Sequence, residues 1–234
     1  MPGILVLNGG DEFHPGNEPQ DTALRDAAGD RPAYIVATAA RDNPEAAVRT
    51  AQRWFSGLGL DVSELRVRTA TEARTAAVAN QVEGAGLIYL VGGDPGWVAK
   101  VLRGSTVWEA MAQAWREGTA LAGSSAGAMA LCEWTLVRQS FPGHARRRPQ
   151  PALGLIPGTA VLPHFDTFGE RWIPSAREQL GPDAILLGID ERTAAVHRHG
   201  TWSVLGPGGV TVVHSDDRAT FSAGSAIQGL PEPG

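Results

Sequence analysis

Short uninterrupted apolar runs, separated by segments with helical spacing, recur along most of this chain. Residues 4–7 (ILVL) close on Asn8-Gly9-Gly10, and residues 87–91 (LIYLV) close on Gly92-Gly93-Asp94-Pro95. Residues 34–38 form a similar run, and residues 120–124 form another just before Ser125. Runs that do not alternate with polar residues fit strands buried on both faces, as in a parallel sheet. Residues 62–67 read as a further strand, more polar and so nearer an edge. Between the runs, Pro44 opens a helix over residues 44–58 that Gly57 and Gly59 close, following the usual start and stop signals. Helices are also expected at residues 22–28, 71–82, 96–102 and 107–117.

Strands alternating with helices at this spacing predict a sheet covered by helices on both sides. Ligands of such sheets bind outside the carboxyl ends of the strands. Gly9-Gly10, Gly92-Gly93 and Ser125 all fall at those ends, so three turns are expected to converge on one rim. The third turn lies in LAGSSAGAMAL, residues 121–131, which carries the pattern G-x-S-x-G. Small residues around Ser125 let a strand turn sharply into a helix with the hydroxyl at the apex. Unpaired N–H groups at the helix start can then stabilise an oxyanion.

Beyond Ala130 the texture changes. Residues 138–151 have no apolar period, contain Arg146-Arg147-Arg148 and read as an exposed loop. A strand at residues 161–165 carries His164, a helix is expected at residues 169–180, and another strand at residues 185–189. Residues 194–197, 202–205 and 210–213 read as short antiparallel strands joined by glycine turns. His197, His199 and His214 lie on these elements and read as structural histidines.

The 234 residues suit one large α/β domain over 1–234 with a substantial core. A net charge of −5 argues against non-specific nucleic-acid or anionic-membrane binding, since both need a basic surface. The one cysteine, Cys132, lies beyond the elbow apex and cannot form an internal disulfide. This predicts a cytoplasmic setting and argues against a thiol nucleophile. The first residues carry no basic leader, and their apolar run is too short for a signal peptide or a membrane span. No metal or organic cofactor is expected: the histidines are scattered, and no phosphate loop or dinucleotide glycine pattern follows a strand in the right form. Seven tryptophans and the apolar helices suggest a homo-oligomer.

Ser125 in its elbow, Gly92-Gly93-Asp94 after the preceding strand, and Leu162-Pro163-His164-Phe165 further on give the chain a family likeness. It resembles the peptidase E and cyanophycinase-like serine peptidases. The likeness runs nearly end to end, through LNGGDE, YLVGGDP, AGSSAGAMAL, ALGLIPGTAVLPHF, GIDERTA and VLGPGGVTVV. It implies the class I glutamine amidotransferase-like fold, a three-layer αβα sandwich with a mainly parallel, flavodoxin-like sheet. It also implies Ser125 as nucleophile, His164 as general base, and the N–H groups of Gly93 and Ala126 as oxyanion hole. The chemistry agrees: a serine hydroxyl is nearly inert unless a base removes its proton during attack, and histidine suits that task.

The third member of such a site is harder to place. The resemblance implies a carboxylate between the serine and the histidine, roughly at residues 139–144, yet no Asp or Glu stands between Glu133 and Asp166. Asp166, two residues after His164, has the His-x-acid spacing of the related amidotransferases and is slightly favoured. Glu191 or Asp190 at the end of the next strand is the alternative, and a Ser-His dyad oriented by water or Gln139 is another. Family members cleave dipeptides after an N-terminal aspartate or degrade an aspartate-arginine polymer, so a small peptide substrate with an acidic preference is expected. Arg146, Arg147 and Arg148 could pair with its carboxylate through guanidinium contacts, or form a solvated basic loop. Two competing readings remain: an amidotransferase-like binding module with a decayed site, and an ordinary α/β-hydrolase with His214 as a late base. The latter lacks an HGGG-like oxyanion stretch.

Overall fold

The computed structural model describes residues 1–139, 146–215 and 217–234. The first half of the chain alternates as its apolar pattern requires: β1 (Leu5–Asn8), α1 (Glu18–Ala28), β2 (Ala33–Val36), α2 (Pro44–Gly57), β3 (Ser63–Glu64), α3 (Ala76–Ala79), β4 (Leu87–Leu90), α4 (Pro95–Leu102), α5 (Thr106–Arg116), β5 (Ala120–Ser124) and α6 (Ala126–Leu131). The second half is richer in strands: β6 (Cys132–Arg138), β7 (Arg147–Pro151), β8 (Ile156–Leu162), α7 (Ile173–Leu180), β9 (Ile185–Ile189), β10 (Ala194–Arg198), β11 (Thr201–Leu205), β12 (Gly209–His214), β13 (Asp217–Ser222) and β14 (Ala226–Ile227).

These strands form two mixed sheets, where one mainly parallel sheet was expected. The first runs β14-β11-β10-β1-β5-β4-β2-β3 and the second β13-β12-β9-β8-β6-β7. In the first, β1, β5, β4, β2 and β3 are mutually parallel, and β10, β11 and β14 extend it antiparallel. The reason for the second sheet is geometric. β5 already has β1 and β4 on its two edges, so the apolar runs that follow α6 cannot pair beside it. They pair with one another instead, β6 with β8 and β8 with β9, both parallel. β9 then leads back to the first sheet through β10.

Alternate residues of β1 point to opposite sides, as the two-residue period of a strand requires. Leu5 and Leu7 join a core with Leu102, Met111 and Trp115, while Ile4 and Val6 join one with Leu24, Ile35 and Phe55. Burying a large apolar side chain contributes about 1.5–3 kcal/mol, so the two cores hold the parallel strands, and the turns at their ends, firmly in register. Asn43 caps α2 by accepting from Ala46 N, and Asp94 caps α4 by accepting from Trp97 N. Among the described residues, no helix is long and apolar enough to cross a membrane.

Two local expectations are corrected. The helix expected over residues 71–82 is broken, because Thr75 adopts an extended conformation between a 3-10 turn at Glu72–Arg74 and the short α3. The stretch at residues 138–151 is not wholly a loop: β6 and β7 pair antiparallel across it. β7 lacks an apolar period because it is an edge strand, where Pro149 and Pro151 are tolerated. Residues 140–145 of that stretch lie outside the described residues.

One buried acid carries a stability consequence. Asp21 of α1 accepts from Trp54 Nε1 at 2.8 Å, while its other oxygen has no hydrogen-bond partner among the described residues. Burial pushes its carboxyl up to about 7; the Trp54 hydrogen bond opposes this, and the charges of Glu12 and Glu18 add to it. The native state therefore favours the protonated form. As pH rises from about 4, the unfolded chain ionises first, so native stability falls until about pH 7 and then levels off. The total loss is on the order of 4 kcal/mol. Asp21→Asn stays neutral throughout, and urea unfolding should show it more stable than wild type at pH 8 with little difference at pH 4.

Candidate active site

Ser125 stands at the junction of β5 and α6, with φ 46° and ψ −108°. This conformation is costly for a residue with a side chain, and it persists only where its surroundings fix it. They do so here. Ser125 N donates to Asn8 O at 2.9 Å, and Met129 N donates to Ser125 O at 2.9 Å. The flanking glycines allow close approach: a Cβ on Gly123 would lie 2.5 Å from Gly127 C, and one on Gly127 would lie 2.2 Å from Leu90 O. Cys132 starts β6 fully buried, and burial pushes its thiol up to about 12, so it offers no thiolate.

His164 comes from the other sheet. It follows β8 in a left-handed turn with φ 50°, and the N–H groups of Thr167, Phe168 and Gly169 all donate to its carbonyl oxygen. Its ring Nε2 lies 3.1 Å from Ser125 Oγ, and its Nδ1 lies 2.7 Å from Glu191 Oε1. Phe168 stacks on the ring with centroids 4.8 Å apart. The carboxylate on the imidazole is therefore that of Glu191, in the turn between β9 and β10, and the Asp166 expectation is corrected. The tight turn after His164 carries Asp166 past the ring, and its Oδ1 accepts from Glu191 N at 3.0 Å. Asp190 points elsewhere, accepting from Gly209 N at 2.8 Å; burial raises its carboxyl. His214 ends β12 in the second sheet, on the β13 side.

The turn after β1 braces this arrangement, a role its sequence did not declare. His164 N donates to Gly9 O at 2.7 Å, Gly9 N to Thr193 O, and Arg192 N to Gly10 O. A Cβ on Gly10 would fall 2.3 Å from the His164 ring. Any side chain there would displace the imidazole, so Gly10 leaves the room in which the ring sits.

A cleft of about 850 Å³ opens over these groups. Gly93 and Ala126 line it beside Ser125 and His164. Gly93 has φ 140°, and a Cβ on it would lie 2.1 Å from Ala39 O. Ala126 is the first residue of α6, where a backbone N–H has no partner within the helix. The three arginines separate. Arg146 pairs with Glu178 at 2.7 Å on the surface, and Arg148 is exposed away from the cleft. Only Arg147 lines the cleft, with its guanidinium carbon 3.8 Å from the Trp172 ring centroid. Its register partner across the hairpin is Arg138, which lines the cleft too and was not singled out from the sequence. Burial, then the Arg138 charge, lowers Arg147 to about 10. Two cations side by side form a local positive wall in a chain of net negative charge.

A hydroxyl, an imidazole and a carboxylate in hydrogen-bonded series at the floor of a cleft can deprotonate and aim an oxygen nucleophile. Known proteins resemble this chain in sequence and in fold. The family model of peptidase family S51 matches residues 4–205. The cyanophycinase of Trichormus variabilis is 29% identical over 217 residues, covering 90% of this chain and 72% of the relative. That of Synechococcus elongatus is 26% identical over 221 residues, covering 92% and 68%. The crystal structure of a peptidase from an acI-B1 Actinobacterium superposes with a TM-score of 0.81 at 29% identity, covering 97% of both chains. A putative peptidase E protein from Listeria monocytogenes has the same fold at a TM-score of 0.57 and 13% identity, over 95% of this chain and 99% of the other. The chain belongs to peptidase family S51 and is a serine-type peptidase.

Proposed function

We propose that the protein hydrolyses short peptides carrying an acidic residue, with Ser125 as nucleophile, His164 as base and Glu191 as the acid that orients it. The observation that carries this reading is the series from Ser125 Oγ through His164 to Glu191, at 3.1 and 2.7 Å. His164 Nε2 accepts the Ser125 proton as Oγ attacks the scissile carbonyl carbon. The negative charge that develops on the carbonyl oxygen meets the N–H groups of Gly93 and Ala126. His164 then passes the proton to the departing amine, leaving an acyl ester on Ser125. A water molecule, deprotonated by the same imidazole, hydrolyses the ester and restores the hydroxyl. Throughout, Glu191 accepts from Nδ1–H, which keeps Nε2 free to face Ser125 and stabilises the imidazolium.

Reaction with a fluorophosphonate, followed by mass spectrometry, tests the nucleophile. The expected result is one adduct on the peptide containing Ser125, formed far faster than on an unactivated serine. A rate no faster than that of free serine would overturn the reading in favour of a binding module.

The acidic preference rests on Arg138 and Arg147, which both line the cleft. A charge-assisted hydrogen bond contributes about 1.5–3 kcal/mol. Arg147→Ala or Arg138→Ala should therefore lower kcat/KM for Asp-X peptides by ~10–100-fold relative to neutral peptides. Arg146→Ala and Arg148→Ala should leave that ratio unchanged. Equal selectivity in all four variants would remove the arginine wall from the proposal.

A further inference from the structure

The segment that follows β1 does more than make room for the His164 ring. Glu12 extends from it to two distant strand ends: its Oε1 accepts from Gly92 N at 2.8 Å and its Oε2 accepts from the Ser124 hydroxyl at 2.9 Å. Those two partners belong to different elements. Gly92 is in the turn after β4, next to Gly93, and Ser124 is the last residue of β5, next to Ser125. A single carboxylate thus links the residue before each of two site groups.

Its surroundings aim it there. Asp11 and Phe13, on either side of Glu12, both hold left-handed backbone, with φ 54° and 62°. Such conformations are unfavourable for residues with side chains and need support from their neighbours. Asn17 Nδ2 donates to Asp11 O at 2.8 Å, and Asn8 Oδ1 accepts from Gly10 N at 3.0 Å. The Phe13 ring packs against Tyr89 at 5.3 Å and Phe55 at 6.0 Å. Gly92 completes the fit, because a Cβ there would lie 2.9 Å from Glu12 Oε1. The carboxylate lies directly against the turn because no side chain intervenes.

We propose that Glu12 is a positioning residue for the oxyanion-binding turn: by holding Gly92 N–H and the Ser124 hydroxyl with its two oxygens, it fixes the Gly93 N–H relative to Ser125. The inference rests on the reading of Ser125 as nucleophile and Gly93 as oxyanion donor. Its physical basis is that an oxyanion donor works by being preorganised, so a small displacement of the turn weakens transition-state binding more than substrate binding. Glu12 touches neither substrate nor Ser125 Oγ, so it acts through the two backbones it joins.

The test compares Glu12→Ala, Glu12→Gln and Ser124→Ala with wild type and Ser125→Ala. Two readouts are used: the rate of inactivation by diisopropyl fluorophosphate, and steady-state hydrolysis of aspartate p-nitroanilide. Glu12→Ala should inactivate ~10–100-fold more slowly, with kcat falling in step and KM within about 3-fold of wild type. Glu12→Gln can still accept from Gly92 N–H and can donate to Ser124 Oγ, so it should recover to within about 5-fold. Ser124→Ala removes one of the two links and should fall between wild type and Glu12→Ala. A purely structural role would instead lower the amount of folded enzyme and leave kcat per labelled site unchanged. Wild-type rates in Glu12→Ala, or a Glu12→Gln as slow as Glu12→Ala, would overturn the proposal. If Glu12→Ala does not fold, Glu12→Gln and Ser124→Ala decide: a Ser124→Ala indistinguishable from wild type overturns it. Modification that persists in Ser125→Ala would instead show that the underlying nucleophile assignment fails.

Discussion

Ser125→Ala is expected to lower kcat by about 10⁵–10⁶-fold, the loss seen when a serine hydrolase is deprived of its nucleophile. KM should change little, because the cleft walls, including Arg138, Arg147 and Trp172, do not depend on the hydroxyl. The measurement is hydrolysis of an Asp-X dipeptide by purified variant and wild type, with fluorophosphonate labelling in parallel. Retention of more than a thousandth of the wild-type rate would sink the assignment. A companion variant separates chemistry from folding. Ser125 holds φ 46°, a conformation glycine adopts freely. Ser125→Gly should therefore be as inactive as Ser125→Ala and yet more resistant to urea by roughly 1 kcal/mol. Strain relieved by removing this side chain is the signature of a residue placed for reaction rather than for stability.

Glu191→Gln is expected to cost about 10³–10⁴-fold in kcat, with the fold intact. The carboxylate accepts from His164 Nδ1–H at 2.7 Å. A glutamine amide can turn its NH₂ toward that nitrogen, which moves the ring proton to Nε2. The nitrogen facing Ser125 would then be a donor and could not take the hydroxyl proton. Asp166→Ala should cost far less, roughly 10-fold, because Asp166 acts on the site through its hydrogen bond from Glu191 N rather than on the imidazole itself. The ranking decides the assignment: kcat lower in Asp166→Ala than in Glu191→Gln would return the acid role to Asp166.

How far the site was legible varies residue by residue. Ser125 announces itself because the sharp turn needs Gly123 and Gly127 at fixed offsets, and both close contacts are local. Residues in sequence neighbourhood of such a turn record its geometry directly. Glu191 does not announce itself, since its distance from His164 depends on how β8 and β9 pair and where each strand ends. The His-x-acid spacing at Asp166 looked suitable, but His164 lies in a left-handed turn beyond the strand, which redirects the side chains that follow. Arg147 was legible as one of three cations. Its partner Arg138 was not, because their proximity comes from pairing across a hairpin that apolar periodicity does not mark. Glu12 sits in a recognisable LNGGDE stretch, yet its partners are 80 and 112 positions away.

The apolar runs and glycine turns by themselves determined the alternating β/α first half and the sharp turn from β5 into α6 at Ser125. These features depend on contacts within one strand, one turn or one helix, so local residue types encode them. The tertiary structure decided the rest: the split into two mixed sheets, the carboxylate on His164, the arginines that line the cleft, and the acid that joins Gly92 to Ser124. Each of these depends on which strand edges are already occupied and on where distant backbones meet. Such long-range geometry leaves no period or spacing in the chain.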